Sequence, residues 1–207
     1  GTYVSPDGQW VFFRRTEAPG QVWKSPVAGG EPSEIENVRN AAFFSPDGRL
    51  IAGLTSKEIG GRNVTVWTIL PMGGGVPIAE FVPPPRALGL WWAPDNAGLN
   101  YVDEEDGVTS IMRWNFAGGK TQVLLRFPEV RIRNIAWSPD GKEILFRGVK
   151  DQAQNLYKFI VATGKVIPLT DFRSGRIFDF NWAVDGTSAC LAQGEVNREV
   201  VLIRGFK

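Results

Sequence analysis

Along this chain apolar residues come in short runs of four to eight, alternating with polar ones at every second position and broken by tight polar turns. The stretch I-A-W-S-P-D-G-K-E-I-L-F, from Ile135 to Phe146, is the clearest case. Pro sets φ, Asp can bond nearby backbone amides, and Gly tolerates positive φ, so the turn joins two antiparallel strands. The phrase recurs as Y-V-S-P-D-G-Q-W around Asp7, F-F-S-P-D-G-R-L around Asp47, W-W-A-P-D-N-A-G around Asp95 and W-A-V-D-G-T-S around Asp185, with Asp140 in the fourth copy. The differences between these positions are 40, 48, 45 and 45 residues. That is the period of four-stranded propeller blades. Helical periodicity is nearly absent.

The fourth copy predicts a whole unit: strand R-N-I-A-W, turn, strand E-I-L-F-R-G, loop V-K-D-Q-A-Q, strand N-L-Y-K-F-I-V, turn A-T-G-K and strand V-I-P-L-T-D-F. Third strands elsewhere read Q-V-W-K-S-P-V, N-V-T-V-W-T-I-L, S-I-M-R-W-N-F and R-E-V-V-L-I-R. Such a meander has two apolar faces and needs neighbours to bury both. The aromatic three residues before the Asp, at Phe44, Trp92, Trp137 and Trp182, is read as core between blades. The expected fold is therefore all-β: one β-propeller domain over residues 1–207, with five four-stranded antiparallel blades at about 1–37, 38–85, 86–130, 131–175 and 176–207. The first blade lacks part of its inner strand and the last its outer one. We expect the chain to be a fragment of a larger propeller, with open blade edges through which two copies can pair.

The S-P-D-G turn after an aromatic, present in three copies and varied as A-P-D-N and A-V-D-G in the other two, resembles the TolB-type propeller repeat, which is similar to but distinct from WD repeats. The stretch from Leu169 to Lys207 also resembles the closing blade of propellers fused to bacterial serine/threonine kinases or winged-helix regulators. These resemblances imply a protein- or peptide-binding scaffold in a larger bacterial regulatory protein, and a periplasmic or extracytoplasmic location. They also leave open the noncatalytic gating propeller of a prolyl oligopeptidase-like hydrolase, for which a G-x-S-x-G turn elsewhere in the gene would speak.

Composition narrows the chemistry. Histidine is absent, removing the usual general base and zinc ligand. No nucleotide-binding glycine motif occurs, so no cofactor, metal or catalytic residue is assigned and the chain is read as no enzyme. A net charge of +1 argues against nucleic acid or an anionic membrane as partner. Cys190, in the apolar run S-A-C-L-A, is read as a buried strand residue, and the acidic run Asp103–Asp106 as a solvated loop rather than a calcium site.

One constellation points to a ligand. Arg86, Arg131 and Arg176 each stand nine residues before a turn Asp, and Arg39 stands eight before. With Arg133 these should ring the channel mouth opposite the turns, where guanidinium groups suit a carboxylate, a phosphate or an acidic peptide. Local acids such as Glu36, Glu129, Asp171 or Asp179 could instead pair with them. The aspartates Asp7, Asp47, Asp95, Asp140 and Asp185 are assigned a structural role, bonding the backbone of their turns.

Overall fold

In the computed structural model, residues 2–196 are described apart from 6, 16, 18 and 19, as are all side chains among them except those of 37 and 39–42. Seventeen strands follow one another: β1 Tyr3–Val4, β2 Trp10–Phe13, β3 Gln21–Pro26, β4 Ser33–Phe44, β5 Leu50–Ile59, β6 Arg62–Pro71, β7 Ala79–Phe81, β8 Leu88–Trp92, β9 Gly98–Glu105, β10 Val108–Asn115, β11 Thr121–Phe127, β12 Arg131–Trp137, β13 Glu143–Lys150, β14 Ala153–Ile160, β15 Lys165–Pro168, β16 Arg176–Trp182 and β17 Ala189–Gly194. They take up 115 of the 191 described residues. All neighbours pair antiparallel in chain order, as hairpin connections require. The third strand expected in the last blade, from Arg198, lies outside the described residues.

The chain forms two compact units, 1–128 and 129–207. In the first, β1 to β7 make one seven-stranded sheet and β8 to β11 a four-stranded one. The seven-stranded sheet is two meanders sharing β4, whose early residues Ser33 and Glu34 pair with β3 and whose late residues Ala42 to Phe44 pair with β5. The second unit holds the four-stranded meander β12 to β15 and the pair β16 and β17.

The pleat sends successive residues to opposite faces, and both faces are buried. Ile51 and Leu70 join Phe12, Val22, Ile35 and Val38 in one core. Their neighbours Ala52 and Ile69 join Trp67, Leu90, Trp92, Leu99, Tyr101 and Trp114 in another. In the second unit Leu145, Leu156, Ile177 and Phe180 form a third. Each side chain so buried contributes about 1.5–3 kcal/mol of transfer free energy, which one meander alone would forgo.

Several segments differ from the sequence expectation. V-K-D-Q-A-Q is not a loop: β13 and β14, like β5 and β6, run on to a two-residue turn. These turns are Gly60–Gly61 (φ 58° and 76°) and Asp151–Gln152 (48° and 69°), and Asp106–Gly107 (50° and 79°) makes the same turn between β9 and β10. Two successive left-handed residues match the strand twist, so the hairpin can extend to its tip. Cys190 is exposed, because no strand covers that side of β17 among the described residues. Of the four core aromatics only Trp92 is fully buried; Phe44, Trp137 and Trp182 are half-buried.

Candidate functional site

The repeated turn has one geometry in all five copies. The amide of the fourth residue donates to the carbonyl of the first, at 2.8 to 3.1 Å for Gly8, Gly48, Asn96, Gly141 and Gly186. The Asp carboxylate accepts the amide two residues on: Gln9, Arg49, Ala97, Lys142 and Thr187, at 2.9 to 3.1 Å. Where the first residue is serine, its hydroxyl donates to the same carboxylate, as Ser5, Ser45 and Ser138 do. Each hydroxyl also accepts an amide five residues on, from Trp10, Leu50 and Glu143, at 2.9 Å. Ala93 and Ala183 lack that relay but keep the rest.

The Ser138 hydroxyl, and then the Lys142 amide and ammonium, hold Asp140 well below the ordinary carboxylate value, down to about 2. Ser5 and Ser45 lower Asp7 and Asp47 in the same way, and for Asp185 the Thr187 amide is the main cause. At Asp95 burial opposes the shift, and Arg113, whose Nη2 donates at 2.6 Å, overcomes it. The fourth residue is left-handed throughout (φ 59° to 71°), which explains why Asn96, the side chain that best tolerates that region, replaces glycine.

The ends of the inner strands opposite these turns carry the arginines. Pairing there slips between Arg39 and Ala42, Leu88 and Trp91, Ile132 and Asn134, and Ile177 and Asp179. Such bulges re-aim side chains. They set two buried residues three apart, Ile132 with Ile135 and Ile177 with Phe180, and leave Arg133 and Phe178 as the extra residues. At Gly89 (φ 68°) the Trp91 ring lies over the Cα, where a Cβ would come within 1.9 Å of it.

In the first unit the backbone of Arg39 pairs with Leu54, and its side chain lies outside the description. Arg86 is exposed and bound by acids: its Nε donates to Asp103 at 3.1 Å and its Nη2 to Glu105 at 2.7 Å. The pair raises the guanidinium value through Glu105 first. The acidic run is thus the end of β9 and its hairpin turn, with two of its carboxylates engaged by arginine. Among the described residues no group of three metal-ligating side chains forms. Close to Arg86 a cavity of about 540 Å³ opens, lined by Phe43, Leu54, Trp67, Pro84 and Leu90 among others.

In the second unit Arg131 and Arg176 begin β12 and β16 and are exposed, and Arg133 donates to the carbonyl of Ile132 at 3.2 Å. Arg147, on β13, joins this group and was missed by the reading of inner strands alone. It donates through Nη1 to the carbonyl of Ile177 at 2.7 Å. Burial lowers its value, and the charges of Arg176 and Arg133 add to that. A signal exists: the matching positions of copies two, three and five hold Leu54, Val102 and Ala192, whereas copies one and four hold Arg14 and Arg147.

Stacked antiparallel meanders with recurring turn and bulge define a β-propeller fold. Among solved structures the chain is similar to a putative TolB from Agrobacterium tumefaciens, at 22% identity and a TM-score of 0.69, over 94% of this chain and 69% of that one. It is similar to TolB from Acinetobacter baumannii at 17% and 0.61, over 90% and 47%. It is also similar to the β-propeller domain of the Trilobed protease from Pyrococcus furiosus at 16% and 0.71, over 95% and 63%. The chain therefore spans between about half and just over two thirds of those chains. No family model matches it, and no curated protein does.

Proposed function

We propose that this chain is a non-catalytic propeller module that binds a protein or peptide, serving as the sensory or interaction part of a larger bacterial regulatory protein. The observation that carries this reading is the cavity beside Arg86, whose lining from Phe43 to Leu90 contains no ionisable side chain. A pocket of this size and polarity holds an apolar side chain but supplies no ionisable acid or base. In the second unit the exposed Arg131 and Arg176 suit an acidic partner, and the likeness to TolB structures supports a scaffold in an extracytoplasmic compartment.

The test is a photoreactive residue in place of Val64, on the cavity wall. The expected result is one specific crosslinked polypeptide, suppressed when Leu54→Arg fills the cavity. Labelling that is diffuse, or indifferent to Leu54→Arg, overturns the reading.

The likeness to a protease propeller domain favours a second reading, the gating propeller of a prolyl oligopeptidase-like hydrolase. A G-x-S-x-G nucleophile turn in the same gene decides for it.

A further inference from the structure

The second unit carries an arrangement that stability alone does not account for. Arg147 faces Asn134 across the β12 and β13 pair, next to the bulged Arg133. Its guanidinium reaches β16 and donates to Ile177, the neighbour of Arg176, while Gln154 accepts the Ile177 amide at 3.0 Å. Blade-four side chains thereby satisfy both backbone groups of Ile177 and fix the start of β16. One donor is left over. Nε of Arg147 is buried without a hydrogen-bond partner, the one such side-chain atom found among the described residues. A buried guanidinium N–H with nothing to donate to is costly, and native proteins rarely leave one so.

Charge adds to the case. Among the described residues neither Arg147 nor Arg176 has a carboxylate at ion-pair distance. The charges bearing on Arg147 are those of Arg176 and Arg133. Cations gathered in a partly dry site repel one another, and an oxyanion accepting from several of them converts that repulsion into charge-assisted hydrogen bonds. Arg86 is the contrast, because Asp103 and Glu105 already supply its anions.

We infer that Arg133, Arg147 and Arg176 form a binding site for a single oxyanion at the start of β16. This deepens the binding-module reading and rests on it: the oxyanion belongs to the partner, as a peptide carboxylate, or is free phosphate.

The test is a titration of the isotopically labelled 207-residue chain, at constant ionic strength, with inorganic phosphate and separately with acetyl-dialanine as the free acid or the amide. Expected are saturable shifts of the Ile177 and Gly148 amides, with a Kd on the order of 1 mM for so small a ligand. They should weaken at least tenfold in Arg176→Gln and in Arg133→Gln. Removing Arg147 strips the Ile177 carbonyl of its donor, so Arg147→Lys, which keeps charge and donor, replaces the full deletion and should weaken binding less than Arg176→Gln. Response to the acid but not the amide supports a peptide carboxylate, and response to phosphate alone supports the site with free phosphate as ligand. No saturable shift with either anion, or equal affinity in Arg176→Gln, overturns the inference. The Val64 crosslink is independent: if it persists when both anions fail, the binding module stands and this site falls.

Discussion

The indole N–H of Trp92 donates to the backbone carbonyl of Phe43 at 2.9 Å, forty-nine residues earlier in the chain. Phe43 immediately precedes Phe44, the aromatic that corresponds to Trp92 one repeat before. Trp182 does the same to Ala136, the residue before Trp137, at 3.2 Å. The aromatic before the turn is therefore more than apolar filling. Within each unit it ties one inner strand to the preceding one by a directed bond. Asn96 adds a second tie, its Oδ1 accepting the amide of Asp47 at 3.1 Å.

Replacing Trp92 by Phe keeps an aromatic ring but leaves the Phe43 carbonyl without its donor. The expected cost is about 1–2 kcal/mol, read as a lower urea midpoint with an unchanged slope. Trp182→Phe should cost less, because its ring is half-exposed. An equal or higher midpoint for Trp92→Phe would show that the ring alone does the work.

Asp140 links folding to acid. Its folded value, about 2, lies below the ordinary 3.8. A depressed carboxylate contributes stability that is fully present above its unfolded value and is lost as pH falls toward the folded one. Stability should therefore fall between about pH 4 and pH 2, and Asp140→Asn should flatten that part of the profile. Because the Ser138 hydroxyl is the main cause, Ser138→Ala should move the Asp140 carboxyl titration upward, which carboxyl NMR measures directly.

At Asn96 strain and hydrogen bonding separate cleanly. Asn96→Ala puts a residue that avoids φ near 59° into the turn and removes the acceptor for Asp47, for an expected loss of about 2–3 kcal/mol. Asn96→Gly removes only the acceptor and should cost about 1 kcal/mol. Thermal midpoints that rank Gly below Ala would refute this division.

Gln152 offers a gain. Its φ of 69° is a conformation that costs an L-residue about 1 kcal/mol. Gln152→Gly should raise stability by about 0.5–1 kcal/mol, the left-handed strain relieved outweighing the extra freedom of the unfolded chain. The check is the denaturant midpoint, with Gly61→Ala in the corresponding turn as the opposing control.

The strands, their order and the common turn were legible in the sequence because each rests on local chemistry. Alternation marks the strand, Pro, Asp and Gly mark the turn, and the Asp side chain closes it onto its own backbone. Hairpin tips were misread because polar residues at Lys150–Gln152 and Asp103–Glu105 look like loop, although an exposed antiparallel ribbon tolerates them wherever a left-handed pair ends it. The bulges were missed as well, although buried residues three apart, such as Ile177 and Phe180, announce them. Arg131 and Arg176 do begin inner strands, but what surrounds an arginine depends on partners far away in sequence. Asp103 and Glu105 claim Arg86, whereas Arg147 completes a group that inner-strand positions alone do not reveal. Cys190 failed as a core residue because coverage by a neighbouring strand is not a property of the run that contains it.

The twelve-residue strand β4 serves two meanders, bonded to β3 at one end and to β5 at the other, with a register shift in each pairing next to Arg39. No linker separates those meanders, so neither can swing or melt while the other stays intact. In amide hydrogen exchange Ile35 and Phe44 should report one shared opening, whereas β8, which follows the irregular V-P-P-P-R-A stretch, is free to open on its own schedule.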